Sequence, residues 1–376
     1  MNKGKQILII GAGLAGAVAA RILAENDCQV TLLEQRGQVG GNCHDERSPD
    51  GITFHNYGPH IFHTNNREAW LFVNRFSAFR HYQHRVLSYV DGQMIPFPIN
   101  RDSICQLYGL DLDIYGVADF LEKEVARSSF NNPPQNFRDV VVSQVGEILY
   151  EKFFHNYTYK QWETDPRELS AEIAGRIPVR QNRDDRYFTD RYQGIPEAGY
   201  TRLIENMLDH ARIKVILDTD YLANRAAWDR GPFDLLIYTG KLDAYFDYAY
   251  GRLAYRSVKF EFLTLPVERY QPAGVVNYPN DYDFTRITEY KHLTGEKSAL
   301  TVICREYPTA DGVPCYVILN AENIGKRQAY LDHVQELEAA GSHLFAGRLA
   351  EYRYYNMDQV IVSVMEKLAA WMQAVS

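Results

Sequence analysis

The chain has 376 residues, 46% hydrophobic and 23% charged, with 40 basic against 48 acidic side chains and a formal net charge of -8. That length supports a substantial core and two or three domains. The acidic balance makes a poor general polyanion surface, which excludes nucleic acid as an expected partner, so an anionic substrate would be held by a few placed arginines.

The chain opens with an α/β unit. Gln6 to Ile10 is a short apolar run, Ala17 to Glu25 an alanine-rich helix, and Gln29 to Glu34 a second β-prone run. Between the first two lies Gly11-Ala12-Gly13-Leu14-Ala15-Gly16, a G-x-G-x-x-G turn. Gly11 permits the tight turn, Gly13 lets a pyrophosphate approach the backbone, and Gly16 lets helix and strand pack closely. Glu34 ends the second strand, where an acid would hydrogen-bond an adenosine ribose. Glu34-Gln35-Arg36 leads to a second glycine turn, Gly40-Gly41-Asn42. This segment resembles the FAD motif of the amine-oxidase-like flavoproteins, which favours FAD over NAD.

No signal-like segment precedes the motif and no apolar run reaches bilayer-spanning length. The five cysteines, Cys28, Cys43, Cys105, Cys304 and Cys315, are scattered without C-x-x-C spacing. The expectation is a soluble, cytoplasmic protein with reduced thiols and no membrane insertion.

His55, His60 and His63 lie in HNYGPHIFHTN, but no carboxylate or cysteine stands among them, so no metal site is expected. Val117 to Ala126 and Phe137 to Phe154 have helical periodicity, separated by the breaker Asn131-Asn132-Pro133-Pro134. Runs such as Tyr255 to Leu263 and Ala299 to Arg305 predict an antiparallel sheet. Met357 to Ala374 places Val360, Ile361, Val364, Leu368 and Trp371 on one helical face. Asn356 just ahead of it suits an N-cap, and that helix start would favour an anionic flavin. The expected class is α/β: a Rossmann-like FAD-binding domain (1–80, 196–240 and 316–376), an inserted helical domain (101–168) and an antiparallel sheet domain (81–100, 169–195 and 241–315).

Several longer blocks resemble the UDP-galactopyranose mutase family. They are YGPHIFHTN from Tyr57, VDGQ from Val90, PIN from Pro98, YTYKQW from Tyr157 and RIPVR from Arg176. DDRYFTDRYQGIP from Asp184, YTG from Tyr238, GRLAYRS from Gly251, TRITEYKH from Thr285 and GRLAEYRYYNMDQ from Gly347 follow. The resemblance runs from one end of the chain to the other. It implies an isomerase, a homodimer, that converts UDP-galactopyranose to UDP-galactofuranose for cell-surface polysaccharide synthesis. Reduced FAD would attack the anomeric carbon through N5, forming a sugar adduct without net redox.

By the same resemblance, Phe153, Phe154, Tyr157, Thr158 and Trp162 form the uridine pocket, with Tyr187 near the diphosphate. Arg176, Arg252, Arg286 and Arg348 match substrate- and flavin-site arginines, and Tyr316 and Tyr354 match phosphate contacts. Arg176, Arg286, Arg348 and His63 carry the catalytic expectation. His60, Ile61, Arg348, Asn356 and Met357 join Gly11, Gly13, Leu14, Ala15, Gly16, Glu34, Gln35, Gly41 and Asn42 around the flavin. The chain departs from the family pattern at Asn356 (often aspartate), His84 (asparagine in some, near the substrate), Glu163 (usually glycine) and Gly175 (often lysine). Cys315 and Val317 also replace the usual neighbours of Tyr316. The alternatives are the same chemistry on another nucleotide hexose, UDP-N-acetylgalactosamine or a dTDP-deoxyhexose, and an amine-oxidase-like FAD oxidoreductase.

Overall fold

A computed structural model describes residues 4–174 and 178–374. Its centre is a five-stranded parallel sheet in the order Ile213–Ile216, Gln29–Leu33, Gln6–Ile10, Leu235–Tyr238, His343–Phe345. Parallel strands covered on both faces must be apolar on both, and Gln6–Ile10 buries all of its last four residues. Ile7 and Ile9 join the core with the helices Leu14–Glu25, Tyr200–Leu208 and Met357–Ala374. Leu8 and Ile10 join Tyr330 and Val334 of the helix Ala321–Ala339. The terminal helix buries Val360, Ile361, Val364, Leu368 and Trp371, the face its periodicity predicts.

A seven-stranded sheet lies beside this domain, in the order Tyr316–Val317, Tyr255–Leu265, Thr301–Thr309, Arg286–Glu289, Val275–Asn277, Val86–Val90, Gln93–Phe97. It is mixed rather than purely antiparallel, because Val275–Asn277 pairs in parallel with Val86–Val90. That junction lets two distant segments of chain share one sheet.

The helical region contains Arg101–Tyr108, Ile114–Ala126, Phe137–Tyr150 and Asn156–Trp162. The continuous helix expected over residues 137–154 is interrupted twice. Gly146 takes φ 79°, and a Cβ there would stand 2.7 Å from the Glu124 backbone, so only glycine allows this close crossing. A π-helical turn, Glu151–His155, follows. It changes the register ahead of Asn156–Trp162 and carries Phe153 and Phe154, both buried.

Candidate active site

The two glycine turns meet at the carboxyl ends of the parallel strands. The Gly11 amide donates to the Leu33 carbonyl at 2.7 Å and the Gly40 amide to Ala12 at 2.9 Å. Gly11 has φ 104°, and a side chain there would collide with Thr239 Oγ1 at 2.2 Å. A Cβ on Gly16 would lie 1.9 Å from the Gly11 carbonyl oxygen, and one on Gly41 would lie 2.9 Å from the Gly13 Cα. Gly13 leads into the helix Leu14–Glu25, whose start no side chain caps, so its first amides, with Leu14 and Ala15, stay available to an anion. Glu34 is buried and accepts from the amides of Ala12 (2.8 Å) and Arg36 (2.9 Å), which fixes its carboxylate beside the turn. Gln35 is exposed. A cradle that side chains would fill, an uncapped helix start and a fixed acid together fit a dinucleotide.

Next to this crevice opens a cavity of about 690 Å³. Asn42, His60, Ile61, Arg348, Asn356 and Met357 line it together with Phe153, Phe154, Tyr157, Thr158 and Trp162. His63, His84, Tyr187, Arg286, Tyr316 and Tyr354 complete the expected residues that meet there. Arg252 is not brought in. It is exposed and lies over the Tyr248 ring at 3.8 Å, because its turn faces the helix Ala321–Ala339, whose Lys326 donates to the Arg252 carbonyl. Arg176 lies outside the described residues. Among the described residues no cluster of three His, Cys, Asp or Glu side chains could hold a metal.

The cavity's aromatic wall is a cluster. Tyr316 and Tyr354 stack at 5.9 Å and 14°, with Trp162 against both at 5.8 and 6.1 Å. Arg286 pairs through Nη2 with Glu306 at 2.7 Å, and Glu306 is almost wholly buried. Burial opposes the Arg286 charge, but Glu306, Tyr316 and Tyr157 outweigh it and raise its pKa above the ordinary value. Its Nε is buried without a partner, as is Glu306 Oε1. Arg348 is differently committed: Nη1 donates to the Cys315 carbonyl (3.0 Å) and Nη2 to Tyr355 (2.6 Å).

The histidines divide by partner. Burial holds His60 and His84 at about 3, helped by neighbouring positive charge, so both are neutral near pH 7. His60 Nδ1 lies 2.8 Å from the Gly58 carbonyl and must donate to it. His63 instead meets a carboxylate, Asp190 Oδ2, at 2.7 Å. Asn356 accepts at its carbonyl from Val360 (3.1 Å) while Gln359 folds back onto its amide (2.8 Å), half of a capping box. The start of that helix therefore faces the cavity at Asn356 and Met357.

Tyr57, Gln161, Arg180, Asp190 and Asn277 also line the cavity, and sequence reasoning missed them. Arg180 and Asp190 lie in blocks already singled out, yet nothing in their spacing marks them as inward-facing. Glu306 faces Arg286 only through strand register, which no local pattern reveals.

Residues 152–354 match the model of the UDP-galactopyranose mutase family, and residues 9–76 match an NAD(P)-binding Rossmann-like domain. The chain is 38% identical to a probable UDP-galactopyranose mutase of Klebsiella pneumoniae, covering 99% of this chain and 96% of that protein. It is 35% identical to a dTDP-fucopyranose mutase of Escherichia coli, covering 97% of each. A crystal structure of reduced UDP-galactopyranose mutase superposes with a TM-score of 0.76 at 17% identity, covering 99% of this chain and 94% of that one. With a family model over more than half of the chain and relatives this similar along its whole length, the chain belongs to the UDP-galactopyranose mutase family of isomerases.

Proposed function

We propose that the enzyme catalyses the reversible contraction of UDP-galactopyranose to UDP-galactofuranose with reduced FAD and no net redox. The observation that carries this reading is one cavity joining an aromatic cluster, paired tyrosines and a buried arginine to a helix start beside the dinucleotide crevice. When bound, reduced FAD would supply a nucleophilic nitrogen at the anomeric carbon, so that the nucleotide can leave and return.

The side chains supply binding and charge. Phe154, Tyr157 and Trp162 offer faces for the uracil, worth about 1–3 kcal/mol if stacking resembles that of single-stranded nucleic acids. Arg286, with Tyr316 and Tyr354, takes the diphosphate as its negative charge grows. Glu306 fixes one end of that guanidinium and keeps it charged, leaving other donors for phosphate. Arg348, anchored by two carbonyls, and the helix start at Asn356 place positive potential where an anionic reduced flavin would sit. Neutral His60 and His84 contribute polarity without repelling the arginines. The homodimeric state and the role in cell-surface polysaccharide synthesis complete the proposal and rest on the sequence resemblance, while the cytoplasmic location and the three-part domain division rest on the scattered cysteines and on the helix and sheet patterning of the sequence.

The same chemistry on a dTDP-deoxyhexose is the second reading, favoured by the dTDP-fucopyranose mutase relative. A panel of UDP- and dTDP-hexopyranoses incubated with dithionite-reduced enzyme decides between them. UDP-galactofuranose should dominate; preferred turnover of a dTDP-sugar would reassign the substrate, and stoichiometric consumption of reductant would point to an oxidoreductase. Arg286→Ala should lower kcat by about 10²-fold or more, the scale of losing one transition-state anion contact, while flavin stays bound. Near-normal turnover would remove Arg286 from the site.

A further inference from the structure

Stacking holds the face of a nucleobase but does not read its edge, because every base offers a π-face. Reading the edge calls for a polar side chain with hydrogen-bonding capacity to spare. Among the described residues, two that line the cavity hold a buried side-chain nitrogen with no hydrogen-bond partner, Arg286 and Gln161. Arg286 has bonds elsewhere, to Glu306 and Tyr316. Gln161 has none at either end of its amide, although it is only 8% exposed. A buried amide left unsatisfied destabilises the protein, so its partners belong to what fills the cavity. We propose that Gln161 reads the base: its amide donates to a ring carbonyl and accepts from N3–H at the imide edge of a uracil or thymine. This rests on the mutase reading.

The helix Asn156–Trp162 aims the side chain. Tyr157, Thr158 and Gln161 fall at i, i+1 and i+4, on one side of it, and all three line the cavity, while Tyr159 on the other side is exposed. The π-helical turn ahead of the helix sets this register. The backbone is clamped where the side chain leaves it. Arg256 donates from Nε to the Gln161 carbonyl at 3.3 Å and from Nη1 to Glu163 at 2.6 Å. Gln161 is thus held one helical turn from Tyr157, the ring that offers its face to the base.

The other polar groups on the cavity suit other parts of a nucleotide. Guanidinium groups only donate, which matches phosphate oxygens, whereas a primary amide sets a donor beside an acceptor, as an imide requires. Of the other amides, Asn42 and Asn356 stand at the flavin crevice, and Asn277 is paired with Arg286 across neighbouring strands. Uracil and thymine present the same two carbonyls and N3–H. Gln161 therefore serves UDP- and dTDP-sugars alike and does not choose between them.

Gln161→Met keeps an unbranched side chain of similar length and removes both hydrogen-bonding ends. In titration calorimetry of flavin-loaded protein, its affinities for UDP and for uridine should fall by the same factor, about tenfold, the scale of one or two neutral hydrogen bonds. KM for the sugar nucleotide should rise in step, the mark of a contact made equally in ground and transition states. A loss for UDP without one for uridine would place the contact on the diphosphate and overturn the assignment, as would no loss for either. Because the amide has no partner inside the protein, the variant without nucleotide should unfold at a Tm no lower than wild type; a clearly lower Tm would make the amide structural and overturn the proposal. A second probe cancels differences in folded fraction. Wild type should prefer UDP to its N3-methylated analogue by about tenfold, and Gln161→Met should bind the two within about threefold. The full preference retained in the variant would also overturn it. If wild type binds neither UDP nor dTDP, the mutase reading fails; if it binds and turns over its substrate while Gln161→Met binds nucleotide equally well, this inference alone fails.

Discussion

Glu163 sits at φ 50°, in the left-handed region, directly after Trp162. Glycine would take that position without steric cost, which explains why it is usual in the family at this helix end. Here the glutamate pairs with Arg256 at 2.6 Å, and Arg256 is buried while Glu163 is 64% exposed. Two effects oppose each other in Glu163→Gly. Relief of the backbone is worth about 1 kcal/mol. Leaving a buried guanidinium without its carboxylate costs about 3–5 kcal/mol in a fully buried pair, less here because water reaches the glutamate. The pair should win, with a net loss of roughly 1–2 kcal/mol and a Tm lower by a few degrees. A higher Tm in thermal unfolding of the variant would show that the strain dominates. The departure at 163 was visible in the sequence; its partner was not, because Arg256 lies 93 residues away and is joined to it only by the fold.

At the level of elements, the ammonium of Lys160 is one of the ties between the helix Asn156–Trp162 and the seven-stranded sheet. Lys160 Nζ donates to the carbonyls of Tyr278 (2.6 Å), Tyr282 (2.9 Å) and Phe284 (3.3 Å). Those carbonyls belong to the connection between the strands carrying Asn277 and Arg286, both on the cavity. Lys160→Met keeps the apolar stem and removes all three donors. We expect a stability loss of about 1–3 kcal/mol, the cost of an unsatisfied buried acceptor. KM should rise on the order of tenfold as the two walls of the site lose register, equivalent to about 1.4 kcal/mol. Steady-state kinetics with KM unchanged would remove Lys160 from the positioning of the site. The elements themselves were largely legible: the glycine turn, its flanking strands and the terminal helix follow from local spacing. The break at Gly146 and the π turn at Glu151–His155 were not. The first depends on how closely Glu124 approaches, a tertiary contact, and the second leaves the apolar pattern helix-like.

Across the whole molecule, His55 and His60 of HNYGPHIFHTN and His84 of the cavity, all buried without a charge partner, make the fold sensitive to acid. His55, His60 and His84 are each lowered from 6.5 to about 3, in every case chiefly by burial. In the unfolded chain they take up protons below about pH 6.5; in the folded chain they do not until near pH 3. Between those limits the unfolded state binds more protons, so stability is full above the upper limit and is lost as pH falls. Each histidine contributes about 1.4 kcal/mol per pH unit once well below its unfolded pKa, and three together about 4 kcal/mol per unit. A domain whose total stability is roughly 5–15 kcal/mol cannot sustain that slope for long, so unfolding should set in near pH 4–5. Urea unfolding at pH 7.5, 6 and 5 measures the slope. His84→Asn, which keeps a polar group while removing one titrating site, should flatten it by about a third. If that variant loses stability in acid as steeply as the parent, His84 titrates in the folded protein much as it does in the unfolded chain. The neutral imidazole assigned to the substrate cavity would then be charged there, beside Arg286.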